Sequence, residues 1–186
     1  PPLSVDFRGE DAVISAIIGL IEGSARKFYF ITGKGVTGGR DMTPEFAALA
    51  EIGRRQNIDS ATLDLTDVTS IPADTDGLVL AGAHYDLSER ELAMIQAYWH
   101  GKRAALLVLL SPNGDTPRLR SFLAANGVSP RPDRVLFAES TSTGPRKEFS
   151  VQAVFRDDSP ITRPFSSATT RFSGQTQSLA LRGDAP

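Results

Sequence analysis

Apolar and polar positions along the chain change period several times, and each change marks an element. From Asp11 to Glu22, the residues Val13, Ile14, Ile17, Ile18 and Ile21 recur at helical spacing, which predicts an amphipathic helix laid on a core or on a partner. Lys27 to Thr32 (KFYFIT) is rich in aromatic and β-branched residues and runs into glycines, as a buried strand feeding a loop does. Thr43 and Pro44 then open a capped helix with proline at its first position, and Phe46, Leu49, Ala50 and Gly53 share one of its faces.

Ala61 to Leu65 and Gly77 to Ala81 read as short strands, with Ile71-Pro72-Ala73-Asp74 reversing the chain between them. Ser88 and Glu91 have the spacing of a capping box, so a helix bearing Leu92, Ile95 and Trp99 starts there and closes at Gly101. Ala104 to Leu110 (AALLVLL) is apolar throughout, the pattern of a central strand covered on both faces, and Ser111-Pro112-Asn113-Gly114 is expected to end it. Thr116 and Pro117 start a further helix carrying Leu119, Phe122 and Leu123 and stopping at Gly127.

Strand and helix thus alternate from residue 27 to about 127, with strands too apolar for burial on one side only. That order predicts an α/β fold of the flavodoxin-like, open-sheet kind, mostly parallel, with helices on both faces. Arg134 to Phe137, Phe149 to Phe155 and Gln177 to Leu181 add strand-like runs among loops of Ser, Thr, Gly and Pro, and are expected to extend the sheet edge in antiparallel fashion. The expectation is one α/β domain over 1–186, with its core in 5–140 and edge strands and loops in 141–186.

Composition narrows the function classes. With 186 residues, 40% of them hydrophobic, the chain is long enough to bury a sizeable core. Lys and Arg number 20 against 22 Asp and Glu, interspersed, so neither a nucleic-acid backbone nor an anionic membrane surface is a favoured partner. Cysteine is absent, which removes disulfides, thiolate metal sites and every cysteine nucleophile. The apolar stretch Ala12 to Ile21 is about half of the roughly 20 residues needed to cross a bilayer, and the acidic start at Asp6, Glu10 and Asp11 is unlike a signal peptide. The chain is expected to be a mature protein or a domain of a longer one.

In open α/β sheets ligands sit beyond the carboxyl ends of the strands, which directs attention to Gly33 to Asp41, Ala83 to Asp86 and Ser111 to Asp115. Lys34, Gly35, His84, Tyr85, Ser111, Asn113 and Asp115 are the ligand-binding candidates there. Gly33-Lys34-Gly35-Val36-Thr37-Gly38 is a literal G-x-G-x-x-G after a strand, and Asp64 stands where a ribose-binding acid would be sought. Two details weigh against a dinucleotide site: the helix begins at Pro44, well past the third glycine, and Asp64 falls inside its strand and late in the spacing. The glycines are more simply a tightly turning connection.

His84 is the one histidine placed to act as a base or ligand. With His100 alone for company, it lacks the ligand set of a metal centre. Ser111 precedes Pro112 without a G-x-S-x-G elbow, so a serine hydrolase is unsupported, and a hydrolase on His84 and Asp115 requires those groups to converge. Asn113 and Asp115 fit a turn and helix cap as readily as a polar site. Tyr98 and Trp99 fit a core or a seam between helices, and the outer face of the 12–21 helix is a candidate docking surface. No catalytic residue, metal or cofactor is assigned.

The order of Gly9-Glu10-Asp11-Ala12, Phe28 to Gly35, Ile71 to Asp76, Leu78 to Gly82, Leu87 to Leu92 and Leu106 to Pro112 resembles the soluble domain of the gliding-motility-type ABC transporter auxiliary family. The resemblance covers roughly 5–140, and more weakly Ser159-Pro160-Ile161-Thr162 and the end of the chain. It implies a fold similar to class I glutamine amidotransferases without their catalytic cysteine. It also implies an extracytoplasmic (periplasmic) location, tethered by membrane segments outside this chain, and an ABC-2-type permease with its ATPase as partners. Members often carry Gly-His-Gly-Glu after the first strand and Asp-Pro after the central strand. Here those places hold Gly33-Lys34-Gly35-Val36 and Ser111-Pro112. The changes remove ionisable groups from the strand-end cleft. The expectation is therefore a non-catalytic accessory domain that contacts a protein or a glycan, with a nucleotide- or phosphosugar-binding enzyme domain using Gly33–Gly38 as the alternative.

Overall fold

The computed structural model describes residues 23–35, 44–142, 144–160 and 162–182, together with Val13, Ile17 and Leu20. The expected helix over 11–22 lies outside the described residues but for those three positions, which are helical and exposed. The cap at Thr43 and the stretch from Val36 to Asp41 also lie outside them. The chain divides into two compact units, Pro1–Leu119 and Arg120–Pro186, each with its own organisation.

The first unit is built on a four-stranded sheet of β1 (Arg26–Thr32), β2 (Ile58–Asp64), β3 (Gly77–Tyr85) and β4 (Leu106–Asp115), in the order β2-β1-β3-β4. Every neighbouring pair is parallel. The order reverses between β1 and β3, so the crevice at their carboxyl ends is the topological switch point of the sheet. Helix α1 (Pro44–Arg54) connects β1 to β2, and helix α2 (Glu89–Trp99) connects β3 to β4. Asn57 takes a left-handed φ of 56° after α1, a conformation asparagine tolerates, and its carbonyl accepts from the Arg26 amide at 3.0 Å.

Register assigns the two faces. Phe28, Phe30, Val79 and Ala81 share one face with Leu107 and Leu109, and α1 seats Phe46 there, its ring centroid 5.3 Å from that of Phe30. Ile31, Leu63, Leu78 and Leu80 occupy the other face and are buried. The Tyr29 hydroxyl donates to Asp74 Oδ1 at 3.2 Å, which carries the β2-to-β3 crossover over this second face. Leu65, Leu87, Ile95 and Leu119 are also fully buried. Burial of apolar area on this scale is the main stabilising term, at about 25 cal/mol per Å².

Two expectations about the sheet change. The apolar run expected to form a central strand is the edge strand β4, and Leu107 and Leu109 are 47% and 50% exposed. An unbroken apolar run states a preference for burial but does not say which neighbours supply it. Ser111 to Gly114, expected to end that strand, instead bulges: Leu110 pairs with Ala83 and Asp115 with Tyr85, so four residues of β4 stand opposite one of β3. A Cβ on Gly114 would run into the Ala83 carbonyl, so glycine is what lets the bulge close.

The capping box at α2 is present in full. Ser88 Oγ accepts from the Glu91 amide at 3.3 Å, and Glu91 Oε2 accepts from the Ser88 amide at 2.7 Å. Helix α3 (Pro117–Ala125) starts where Thr116-Pro117 placed it and stops ahead of Gly127, whose φ is 88°.

The second unit holds three antiparallel strand pairs: β5 (Val128–Pro130) with β10 (Leu179–Leu181), β6 (Phe137–Thr141) with β7 (Gly144–Glu148), and β8 (Ser150–Val154) with β9 (Thr169–Ser173). The expected runs over 149–155 and 177–181 contain β8 and β10, antiparallel as expected, but these pair with β9 and β5, outside the expected runs, and do not extend the four-stranded sheet. Of the run over 134–137 only Phe137 lies in a strand, with Val135 in an isolated bridge to Thr176. Asp133 ties this unit together, accepting from the Ser178 amide at 2.8 Å and the Ser178 hydroxyl at 2.5 Å. Those bonds, the hydroxyl's first, hold its carboxyl below the usual range despite some desolvation.

Candidate functional site

The carboxyl ends of β1 and β3 meet at Lys34 and His84. Gly33 and Gly35 both adopt left-handed φ, 80° and 73°, which turns the chain sharply after β1 and aims the Lys34 carbonyl at β3. That carbonyl accepts from the amides of His84 at 2.8 Å and Tyr85 at 3.2 Å. A Cβ at Gly35 would lie 2.9 Å from the His84 Cβ and the Tyr85 ring, so the loop is packed directly on the end of β3. Lys34, Gly35, His84 and Tyr85 are therefore brought together, and Asp115 joins them through its pairing with Tyr85. Ser111 and Asn113 sit in the bulge of β4 beside them.

The Lys34 side chain does not face a ligand. Its Nζ lies 2.6 Å from both carboxylate oxygens of Glu91, with Oε2 aligned for a hydrogen bond. The two side chains are 11% and 4% exposed. Burial pushes the Glu91 carboxyl up, but the Lys34 bond, the Ser88 amide and hydroxyl, and the Lys34 charge together hold it below the ordinary glutamate value. Glu91 thus closes the helix cap and neutralises the one lysine of the glycine loop. The capping box was legible from Ser88 and Glu91, but nothing local foretold the partner 57 residues away.

Two further carboxylates near the rim, Asp64 and Asp86, are also engaged. Asp64 ends β2 and accepts from the Thr66 amide at 2.9 Å and hydroxyl at 2.6 Å, with Oδ2 3.0 Å from where a Gly33 Cβ would stand. Asp86 caps α3 from outside it, accepting from the amides of Arg118 at 2.8 Å and Leu119 at 3.2 Å. Asp86 is a structural residue that sequence reading missed, because its helix begins some thirty positions later. His84, Tyr85, Asn113 and Asp115 remain exposed on the rim, Tyr85 at 68%.

No group of three or more His, Asp or Glu side chains poised to hold a metal ion occurs among the described residues. No helix among them is long and apolar enough to cross a membrane. The chain is a mixed α/β protein with a four-stranded parallel sheet and a loop-built rim at its switch point. No family model, no curated protein and no solved structure matches it.

Proposed function

We propose that this chain is a non-catalytic accessory domain that binds a protein partner or a glycan through the rim formed by Gly35, His84, Tyr85, Asn113 and Asp115. The observation that carries this reading is the Lys34–Glu91 ion pair, which at 2.6 Å withdraws the lysine of the glycine turn from the crevice. With Asp64 and Asp86 also engaged in turns and caps, the rim exposes the Tyr85 ring, the His84 imidazole and the Asp115 carboxylate. Such groups suit contact recognition. The resemblance to the gliding-motility-type ABC transporter auxiliary family extends the proposal to a flavodoxin-like or glutamine amidotransferase-like domain held outside the cytoplasm, with an ABC-2-type permease and its ATPase as partners.

The cysteine-free sequence makes the test clean. Purified Tyr85→Cys or Asp115→Cys, each labelled with a single thiol-reactive photo-crosslinker, is to be mixed with membranes containing an ABC-2-type permease and its ATPase from the same organism. Rim crosslinks to the permease, absent from a cysteine placed at Glu51 on α1, are the expected result. Crosslinking that is equal at both places would sink the reading.

A second reading keeps one specific observation in its favour. Asp64 abuts Gly33 at the end of β2, beside two left-handed glycines at the switch point, which suits a nucleotide or phosphosugar on the Gly33–Gly38 loop. Saturable binding of NAD, NADP, FMN or ATP, lost in Gly35→Val, would favour this reading over the first.

A further inference from the structure

A separate cleft runs along α2, from its first turn at Arg90 to Arg103 beyond its last. Parallel strands are joined by a crossover of a dozen or more residues that usually contains a helix. The connection from β2 to β3, Leu65 to Asp76, contains none: it turns at Pro72, whose carbonyl accepts from the Thr75 amide at 3.1 Å and hydroxyl at 2.7 Å. Beside α2, where a crossover helix would pack, an open cleft of about 690 Å³ remains. Its size falls within the roughly 300–1,000 Å³ of ligand pockets.

Ile71, Pro72, Ala93, Met94, Ala97 and the Tyr98 ring give this cleft an apolar body. The Tyr98 hydroxyl is occupied, bonding the Ala105 amide and carbonyl at 3.1 Å each, so only the ring is offered. The charged lining residues are Arg90 and Arg103, and no carboxylate lines the cleft. Arg90 is steadied by the Val68 carbonyl, which leaves most of its five donors uncommitted. Arg103 has no carboxylate within ion-pair distance among the described residues. Asp74, in the neighbouring turn, faces Tyr29 instead, and Asp76 accepts from the Lys27 amide at 2.8 Å.

An apolar trough with two cations and no counter-charge is complementary to one kind of occupant. We propose that this cleft is a binding site for a small organic carboxylate with an apolar body, its carboxylate held by Arg103 and its body laid along α2 on Ala93, Met94, Ala97 and Tyr98. This site shares no residue with the Lys34–His84 rim and does not depend on the function proposed for that rim.

The test is calorimetric titration of the full chain with decanoate, decanol and decyltrimethylammonium below their micelle thresholds, with 2-naphthoate as an aromatic acid. Saturable binding of decanoate or 2-naphthoate, at least tenfold tighter than the alcohol and with no binding of the cation, is expected; which acid binds tighter separates an alkyl from an aryl ligand. Arg103→Glu is expected to weaken that acid at least tenfold, and Ala97→Phe, a substitution at an exposed helix position, to abolish binding while leaving the circular dichroism unchanged. Amide shifts are expected at Ala93, Ala97 and Gly101. Equal affinity for acid and alcohol, indifference to Arg103→Glu, or failure of both acids to saturate would overturn the proposal.

Discussion

The crevice at the switch point and the cleft along α2 use their charges in opposite ways. At the crevice, Lys34 is paired with Glu91, and Asp64 and Asp86 are spent on a turn and a helix cap, with Asp115 left exposed. Along α2, Arg90 in the first turn and Arg103 past the last flank an apolar cleft without a carboxylate in its lining. The place that open α/β sheets ordinarily use for ligands is therefore the one whose lysine and two of whose carboxylates are consumed internally. Charge counted along a sequence says little about charge on offer. What decides is whether the fold has already supplied a partner.

The sharpest way to break this contrast is to undo the buried pair. Glu91→Ala strands Lys34 without a counter-charge and removes half of the helix cap, so unfolding in urea is expected to show a loss of about 3–5 kcal/mol. The double variant Lys34→Met/Glu91→Leu is expected to recover most of that loss, since replacing both ions by apolar groups of similar volume is often neutral. If Glu91→Ala unfolds like the parent, Lys34 is not held as described and the rim keeps a usable cation.

A smaller effect is expected at the bulge that shapes the rim. Gly114→Ala drives a methyl into the Ala83 carbonyl and is expected to cost about 1–3 kcal/mol. Amide shifts should centre on His84 and Tyr85, with decanoate or 2-naphthoate titration at the cleft along α2 unaltered. Shifts that reach Ala97 would mean that the rim and the cleft are coupled.

The smallest effect lies in the acid limb of stability. Glu91 is held below its ordinary value in the folded protein, so the unfolded chain binds its proton more readily. The stability this contributes is complete above the unfolded glutamate value of about 4.3 and is lost as the pH falls through the lower native value. Urea midpoints measured from pH 6 to pH 3 should fall less steeply for Glu91→Gln than for the parent. Parallel curves would place the ionisation elsewhere.

Much of the first unit was legible because its signals are local. Ser88 and Glu91 marked the start of α2, Thr116-Pro117 that of α3, and the KFYFIT run β1, each through chemistry within a few positions. What was not legible depends on neighbours distant along the chain. AALLVLL reads the same whether its strand is central or at an edge, and only the strand order exposes Leu107 and Leu109. The candidates Lys34, Gly35, His84 and Tyr85 did converge, because strand-end loops in a parallel sheet must. The Lys34–Glu91 pair and the cleft beside α2 escaped for complementary reasons: one needs a partner 57 residues away, the other arises from a helix that the β2-to-β3 crossover lacks.

Strand β4 pairs with β3 along one side, and no described strand pairs with the other. That leaves a row of peptide groups facing outward beside two half-bare leucines, which is a template on which an extended segment can add a further strand. Concentrated solutions of the protein will grow associated species from this margin first. A charged residue in place of Leu109 is the simplest guard against that growth.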